Sequence, residues 1–382
     1  MEFRFSPAEE HFRATVREML DATPPPPGMD PDVGDQAFER LLAARGWLTA
    51  AWPKEYGGLG ATQIEQLILK EELARAGGML PAVGVNLVGP TLMVHGTDEQ
   101  RRQHLPRIAA AEVRWCQGFS EPGAGSDLAS LQTRAVRDGD EYVVNGQKIW
   151  TSGAHRANWI LLLTRTAPNA PKHRGISMFL VDMKTPGISV KPIRQLPGQA
   201  GFNEVFFEDV RVPAANIVGE ENRGWYTATT TLDFERSGVE RNIVAEGDWN
   251  RIYRAVREAP GQPLLHGPGG AARRNRLADL RVEVEVGRWL ARRVAWLQTK
   301  GLVPNAEASM SKGYNSEVGQ RVSEFGANLF GLAGQVREGD AAALGGMAAF
   351  RYLDARRLTV GQGTAEIQRN IIATRGLGLP RD

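Results

Sequence analysis

A carboxylate in an unexpected place is the first residue that could do chemistry. Glu235 sits in TLDFER (231–236), inside a stretch, 227–256, with few helix breakers. Leu232, Val239 and Ile243 fall at i, i+7 and i+11, one apolar stripe of a helix, and Glu235 falls on that stripe. An exposed helical glutamate usually has a basic residue at i+4. Here Val239 stands at i+4 and Gly238 at i+3, while Arg236 has its own partner in Glu240. A carboxyl group among apolar side chains has its pKa raised, which suits a general base near neutral pH. The other reading is an ion pair with a distant arginine, and helix pattern alone leans toward that.

Three further stretches carry candidate binding groups. FSEPGAGSDLASLQTRA (119–135) holds a loop in which Pro122 fixes one φ angle and Gly123 and Gly125 admit unusual ones. Such a loop brings backbone N–H groups close to a ligand, and Ser120 and Ser126 add hydroxyls; an ordinary tight loop before a strand reads the same way. In GQKIWTSGAHRANW (146–159), Trp150 is followed by Thr151 and Ser152. A flat ring beside hydroxyls suits a planar heterocycle, although a lone Trp more commonly fills a core. In VGQGTAEIQRN (360–370), Thr364 is placed to cap a helix from about Ala365, whose free N–H groups attract anions such as pyrophosphate. A plain capped helix is the simpler reading.

Other chemistries lose their support. Six histidines show no metal spacing, and with a single cysteine, Cys116, a zinc site and an intrachain disulfide both fall away. No G-x-G-x-x-G follows a strand pattern and no G-x-S-x-G elbow occurs. The net charge of +2 calls for neither nucleic acid nor a membrane surface. The N-terminus reads as amphipathic rather than as a signal peptide, no apolar run reaches membrane-spanning length, and the lone cysteine fits a reducing cytoplasm.

The elements that must position these residues come in three blocks. Helical patterns cover 6–20, 35–46, 62–76, 84–95 and 98–111, with Thr97 or Asp98 as a cap for the last. From 112 to 222 the chain turns to short strand-like runs, and Asn145-Gly146 within EYVVNGQKIW predicts a hairpin turn. Helix returns over 223–258, 272–300, 305–331, 340–360 and 364–374. The division is 1–111 helical, 112–222 an antiparallel β domain, and 223–382 helical: an α+β chain.

In order and spacing, FSEPGAGSDL, NGQKIWTSG, LDFER and GTAEIQRNII resemble the acyl-CoA dehydrogenase family, as do WPKEYGG (52–58) and FNEVFFEDVRVP (202–213). The resemblance implies an N-terminal helical domain, a middle β domain and a C-terminal helical bundle, with FAD as cofactor and an acyl-CoA as substrate. It places Phe119, Ser120, Gly125 and Ser126 along the flavin and the thioester end of the substrate, with Ser126 touching both. Trp150, Thr151 and Ser152 would pack beside the isoalloxazine. Gly363, Thr364 and Glu366 would touch a flavin, and Asp233 and Arg236 the CoA. The reaction implied is α,β-dehydrogenation: a base removes the α proton while the β hydride passes to flavin N5. Oriented donors must then stabilise the developing enolate oxygen.

The sequence departs from the family pattern twice. Many members carry the catalytic Glu where this chain has Gln362, whose amide cannot take a proton at neutral pH. A second branch carries its base in a Leu-x-x-Glu-Arg pattern, which LDFER matches, so the base is expected at Glu235 and the Gln362 backbone N–H remains as enolate donor. The Arg-Lys-x-Phe-Gly stretch that reaches a neighbouring subunit's FAD is replaced by VREAPGQPLLHGPGG (256–270), and FGLAGQ (330–335) only loosely matches another family motif. WCQGFSEPGAGSDLASLQTRA, PKHRGISMFLVDM (171–183) and RNIIATRGLGLPR (369–381) resemble the bacterial branch linked to steroid side chains and other bulky acyl-CoAs. An α2β2 heteromer with a second dehydrogenase chain, or a homo-oligomer with altered FAD contacts, is expected, with an electron-transfer flavoprotein as acceptor. The alternatives are a non-catalytic subunit that completes a partner's flavin site, and a flavoenzyme of the same fold with other chemistry.

Overall fold

The computed structural model describes residues 4–26, 35–78, 83–234 and 239–380, with backbone only at 230–234 and 239–240. Five α-helices come first: α1 (Pro7–Ala22), α2 (Gln36–Ala43), α3 (Gln63–Arg75), α4 (Gly89–His95) and α5 (Asp98–Ala109). A π-helical turn, Val83–Val88, leads into α4. Helix α5 is capped by Thr97, not Asp98: Thr97 closes a capping box with Gln100, in which each side chain takes the other residue's backbone N–H.

The strands are β1 (Trp115–Gly118), β2 (Arg134–Asp138), β3 (Glu141–Lys148), β4 (Trp159–Arg165), β5 (Ile176–Asp182), β6 (Ile188–Ile193) and β7 (Phe202–Pro213). They form one sheet in the order β1-β4-β2-β3-β7-β6, with β5 also paired to β4. Most pairings are antiparallel; β1 and β2 each meet β4 in parallel. Inward alternation along β3 and β7 buries Tyr142, Val144, Val205, Phe207 and Val210 in one apolar cluster with Phe179. Each such fully buried side chain contributes about 1.5–3 kcal/mol of transfer free energy.

Asn145-Gly146 is not a hairpin turn. Strand β3 runs straight through it, and its register with β7 shifts between Val144 and Gly146, the mark of a bulge. Asn145 is engaged instead with Asp209 on β7: its Nδ2 donates to Asp209 Oδ1 at 2.9 Å, and its Oδ1 accepts from the Asp209 N–H at 2.9 Å. Gly146 lies at φ 148°, and a Cβ there would sit 2.7 Å from Thr133 Cα. The hairpin turn lies just before, at Gly139-Asp140, between the paired residues Asp138 and Glu141.

Helices α6 (Gly224–Phe234), α7 (Val239–Glu258), α8 (Pro263–His266), α9 (Gly270–Thr299), α10 (Asn305–Leu329), α11 (Met347–Asp354) and α12 (Ala365–Ile371) complete the chain. The helix expected over 223–258 is thus described as α6 and α7, and residues 235–238 between them lie outside the described residues. The chain divides into two compact units: 23–62 with 77–235, which holds the sheet and α6, and 1–22 with 63–76 and 236–382, which holds the remaining long helices. In the latter, α7, α9 and α10 share a core of Ile252, Leu280, Val284, Val318 and Val322. A buried polar seam crosses it, in which Asn242 Nδ2 donates to the Val284 carbonyl at 2.8 Å.

Candidate functional site

In the sheet-bearing unit, two loops come together. Phe119 is buried at the exit of β1, Ser120 is half-buried, and Gly125 and Ser126 are exposed. Glu121 and Ala124 exchange backbone hydrogen bonds of 3.0 Å and close a tight turn over Pro122-Gly123. A Cβ added at Gly123 or Gly125 would meet nothing within 4 Å, so the tip of the loop is open. The Ile149 N–H donates to the Ser120 carbonyl at 2.9 Å, which joins this loop to the segment Trp150–Ser152.

Trp150 does not fill the core. It is 57% exposed, with only an edge contact to Phe202 at 6.1 Å between centroids. Its φ of 59° turns the chain sharply out of β3. Thr151 is fully buried, and its Oγ1 has no hydrogen-bond partner among the described residues. Its backbone is clamped by Asn203: the Thr151 N–H donates to the Asn203 carbonyl at 3.0 Å. Asn203 Nδ2 in turn donates to the Thr151 carbonyl at 2.9 Å. Ser152 is half-buried beside them.

Beneath the loops lies a buried ion pair that the sequence did not single out. Lys148, at the end of β3, donates from Nζ to Glu121 Oε1 at 2.8 Å and to the Phe119 carbonyl at 3.0 Å. Burial lowers the Lys148 ammonium to about 8 even though Glu121 opposes the shift. For Glu121, burial pushes the carboxyl up, but Lys148 and the N–H donors of Thr133 and Gln132 outweigh it and hold it below its ordinary value. Asn203, Lys148 and Glu121 stand within motifs visible in the sequence, but only strand pairing brings them to the loops. Cys116 is fully buried, and burial raises its thiol, so it is no nucleophile.

Helix α6 leaves the sheet at Gly224, whose Cα presses so close that a Cβ would be 2.6 Å from the Ser177 carbonyl carbon. Asn222 just before it, at φ 65°, donates its N–H to Ser177 Oγ at 2.8 Å. Asp233 belongs to α6; its side chain lies outside the described residues, as do Glu235 and Arg236 altogether.

In the other unit, Gln362 and Gly363 form a turn at φ 57° and 84° ahead of α12. Thr364 caps the helix, its hydroxyl accepting from the Ile367 N–H at 3.3 Å. The buried Lys312 of α10 donates to the Gly363 carbonyl at 2.5 Å. Gln368 Nε2 donates to the Gln362 carbonyl at 3.4 Å and the Gly363 carbonyl at 3.3 Å. Glu366 is exposed, and its carboxyl is lowered by its own backbone N–H and by Thr364. Helix α12 spans only Ala365–Ile371 before it passes into a π turn. Among the described residues no cluster of metal-ligating side chains occurs, and no helix is long and apolar enough to cross a membrane.

Comparison with known proteins matches nearly the whole length of the chain. Sequence profiles described as acyl-CoA dehydrogenase N-terminal, middle and C-terminal domains match residues 6–112, 116–210 and 222–377. The acyl-CoA dehydrogenase FadE29 of Mycobacterium tuberculosis is 40% identical over 91% of this chain and 89% of its own length. FadE34 of the same organism is 39% identical over 89% of this chain, which spans 46% of that longer protein. Among solved structures, a steroid acyl-CoA dehydrogenase, Tcur3481-Tcur3483, superposes with a TM-score of 0.90 at 36% identity over 100% of both chains. The ChsE4-ChsE5 complex of Mycobacterium tuberculosis does so with a TM-score of 0.88 at 35% identity, again over 100% of both.

Proposed function

The chain belongs to the acyl-CoA dehydrogenase family, and on that premise we propose that it dehydrogenates a bulky acyl-CoA thioester to the 2-enoyl-CoA with FAD as cofactor. The observation that carries the cofactor reading is the joined pair of loops at Ser120 and Ile149. An exposed indole, a buried Thr151 hydroxyl without a protein partner and an open Gly-rich tip suit a flat heterocycle with several hydrogen-bonding atoms. These residues fit FAD. When bound, FAD accepts the hydride that leaves the substrate's β carbon.

The chain's own residues supply the rest. Glu235 follows Phe234 of α6 in the sequence and takes the α proton as general base. The Gln362 side chain cannot act as base, but its backbone N–H stabilises the developing enolate oxygen, and the left-handed turn held by Lys312 and Gln368 keeps it in place. Asp233 and Arg236 hold the CoA portion. Phe119, Ser120, Gly125, Ser126, Trp150, Thr151 and Ser152 line the flavin and the thioester. Gly363, Thr364 and Glu366 contact a flavin carried with a neighbouring chain, and an electron-transfer flavoprotein takes the electrons.

Glu235→Gln tests the assignment. Turnover should fall about 10²–10⁴-fold, the range for losing a general base, with flavin still bound. Near-normal turnover would sink Glu235 as the base.

One observation favours a second reading. The relatives include a complex of two unlike chains, ChsE4-ChsE5, and this chain has Gln362 and a rebuilt 256–270 loop. It would then complete the flavin site of a second dehydrogenase chain. Purified alone and mixed with acyl-CoAs without oxygen, a yellow protein that bleaches supports the first reading. A colourless protein that gains FAD only with its partner supports the second.

A further inference from the structure

Lys148 and Glu121 lie 27 residues apart in sequence yet fasten three pieces of backbone at one buried point. The ammonium holds the Phe119 carbonyl at the root of the Gly-rich loop. The carboxylate receives the Gln132 N–H at 2.6 Å and the Thr133 N–H at 2.8 Å, where the chain leaves that loop for β2. The far side of the loop is held separately. The guanidinium of the buried Arg165 donates to the carbonyls of Ala129 and Leu131, and Lys172 Nζ pairs with Asp127 at 2.7 Å. Between these anchors, only the tip from Pro122 to Ser126 is without a side-chain tether.

The position of the ammonium has a chemical consequence. Phe119 C=O and Ser120 N–H are the two ends of one peptide group. The oxygen end is held by a cation, and the N–H end has no partner among the described residues. A peptide whose oxygen is so held is polarised, and its N–H becomes a stronger donor. Ser120 cannot swing away, because its own carbonyl accepts from the Ile149 N–H.

We propose that Lys148 and Glu121 are positioning residues that hold the Ser120 N–H as a fixed, polarised donor for an acceptor atom of the ligand's ring. The loop-holding part stands on the geometry alone; the identity of the ligand rests on the flavin reading above. Charge is part of the device: a neutral pair of the same shape would hold the loop without polarising the peptide.

The test uses the full chain, with its partner chain if the holoprotein needs one, as wild type, Lys148→Met and Glu121→Gln. Amide hydrogen exchange is followed on flavin-free protein in peptides spanning 119–133 and, as reference, 176–182. FAD dissociation constants and flavin absorbance spectra are then measured. Lys148→Met should speed exchange over 119–133 about tenfold or more with 176–182 unchanged, weaken FAD binding about tenfold, and shift the flavin spectrum. Glu121→Gln, which keeps the hydrogen-bonding shape, should give a smaller change of the same kind and carries the test if Lys148→Met does not fold. Unchanged loop exchange, or exchange raised equally in both regions, overturns the positioning role. Faster loop exchange with unchanged FAD affinity and spectrum overturns the donor role. Faster loop exchange in a chain whose wild type binds no FAD under any condition upholds the positioning role and sinks the flavin reading instead.

Discussion

Two backbone turns, one in each compact unit, are held by the same device and treat its charge differently. At the Gly-rich loop, Lys148 grips the Phe119 carbonyl and Glu121 neutralises it at 2.8 Å. At the turn before α12, Lys312 grips the Gly363 carbonyl, but no carboxylate among the described residues lies within ion-pair distance of it. Both ammoniums end near the same value, about 8, with burial as the leading cause. The second cause differs: Glu121 opposes the shift at Lys148, whereas Arg241 adds to it at Lys312 and only the exposed Glu366 opposes. Equal titration thus hides unequal energetics. One lysine belongs to a pair that is costly to break, the other is a lone buried charge whose removal relieves burial.

The largest expected effect falls on the paired site. Glu121→Leu leaves Lys148 buried without its counter-charge and should cost about 3–5 kcal/mol in urea unfolding at pH 7. A loss below about 1 kcal/mol would erase the distinction. Next comes Lys312→Met. At pH 7 the relieved burial, roughly 3 kcal/mol for this shift, and the lost charged hydrogen bond, about 1.5–3 kcal/mol, nearly cancel. The variant differs in its pH dependence. Lys312 titrates at about 8 when folded, below its ordinary 10.5, so between those values the unfolded chain holds more protons and rising pH stabilises the fold. Lys312→Met should remove up to about 1.4 kcal/mol per pH unit of that slope, read from urea midpoints between pH 8 and 10. The smallest effect belongs to Gln368→Ala, which deletes two long bonds to the Gln362 and Gly363 carbonyls. A loss of about 1 kcal/mol is expected; a larger one would make Gln368, not Lys312, the main brace of that turn.

How far the sequence could be read follows from the range of the forces involved. Most helices were legible because their caps and periodicity are local, as at Thr97 and Thr364; the helix expected over 340–360 shrinks to Met347–Asp354, because Leu344 and Gly345 take left-handed backbone ahead of it. The Asn145-Gly146 reading failed because a turn propensity was overruled by pairing with Asp209, a residue distant in the chain. Gly139-Asp140, the real turn, has an equally local signature. At the candidate site, the Gly-rich loop and Trp150 drew attention through residue type. Lys148, Glu121 and Asn203 did not, because their meaning arises only when β3, β7 and the loop are assembled. Gln362 was placed by motif order, and its left-handed backbone agrees with the flanking glycines. The assignment of Glu235 stays with the turnover experiment.

The division of the chain into units also dictates an order of assembly during synthesis. The sheet-bearing unit closes at residue 235, so everything it needs has left the ribosome while the last helices are still being made. The other unit is discontinuous. Leu67 on α3 packs against Ile243 on α7 and Ala291 on α9, so α3 emerges early and waits for partners encoded far downstream. Such high-contact-order pairing is slow and leaves an apolar helix face uncovered in the nascent chain. A chain interrupted after α6 would carry a finished sheet and an orphaned pair of N-terminal helices, and those helices are the surface a chaperone would meet first.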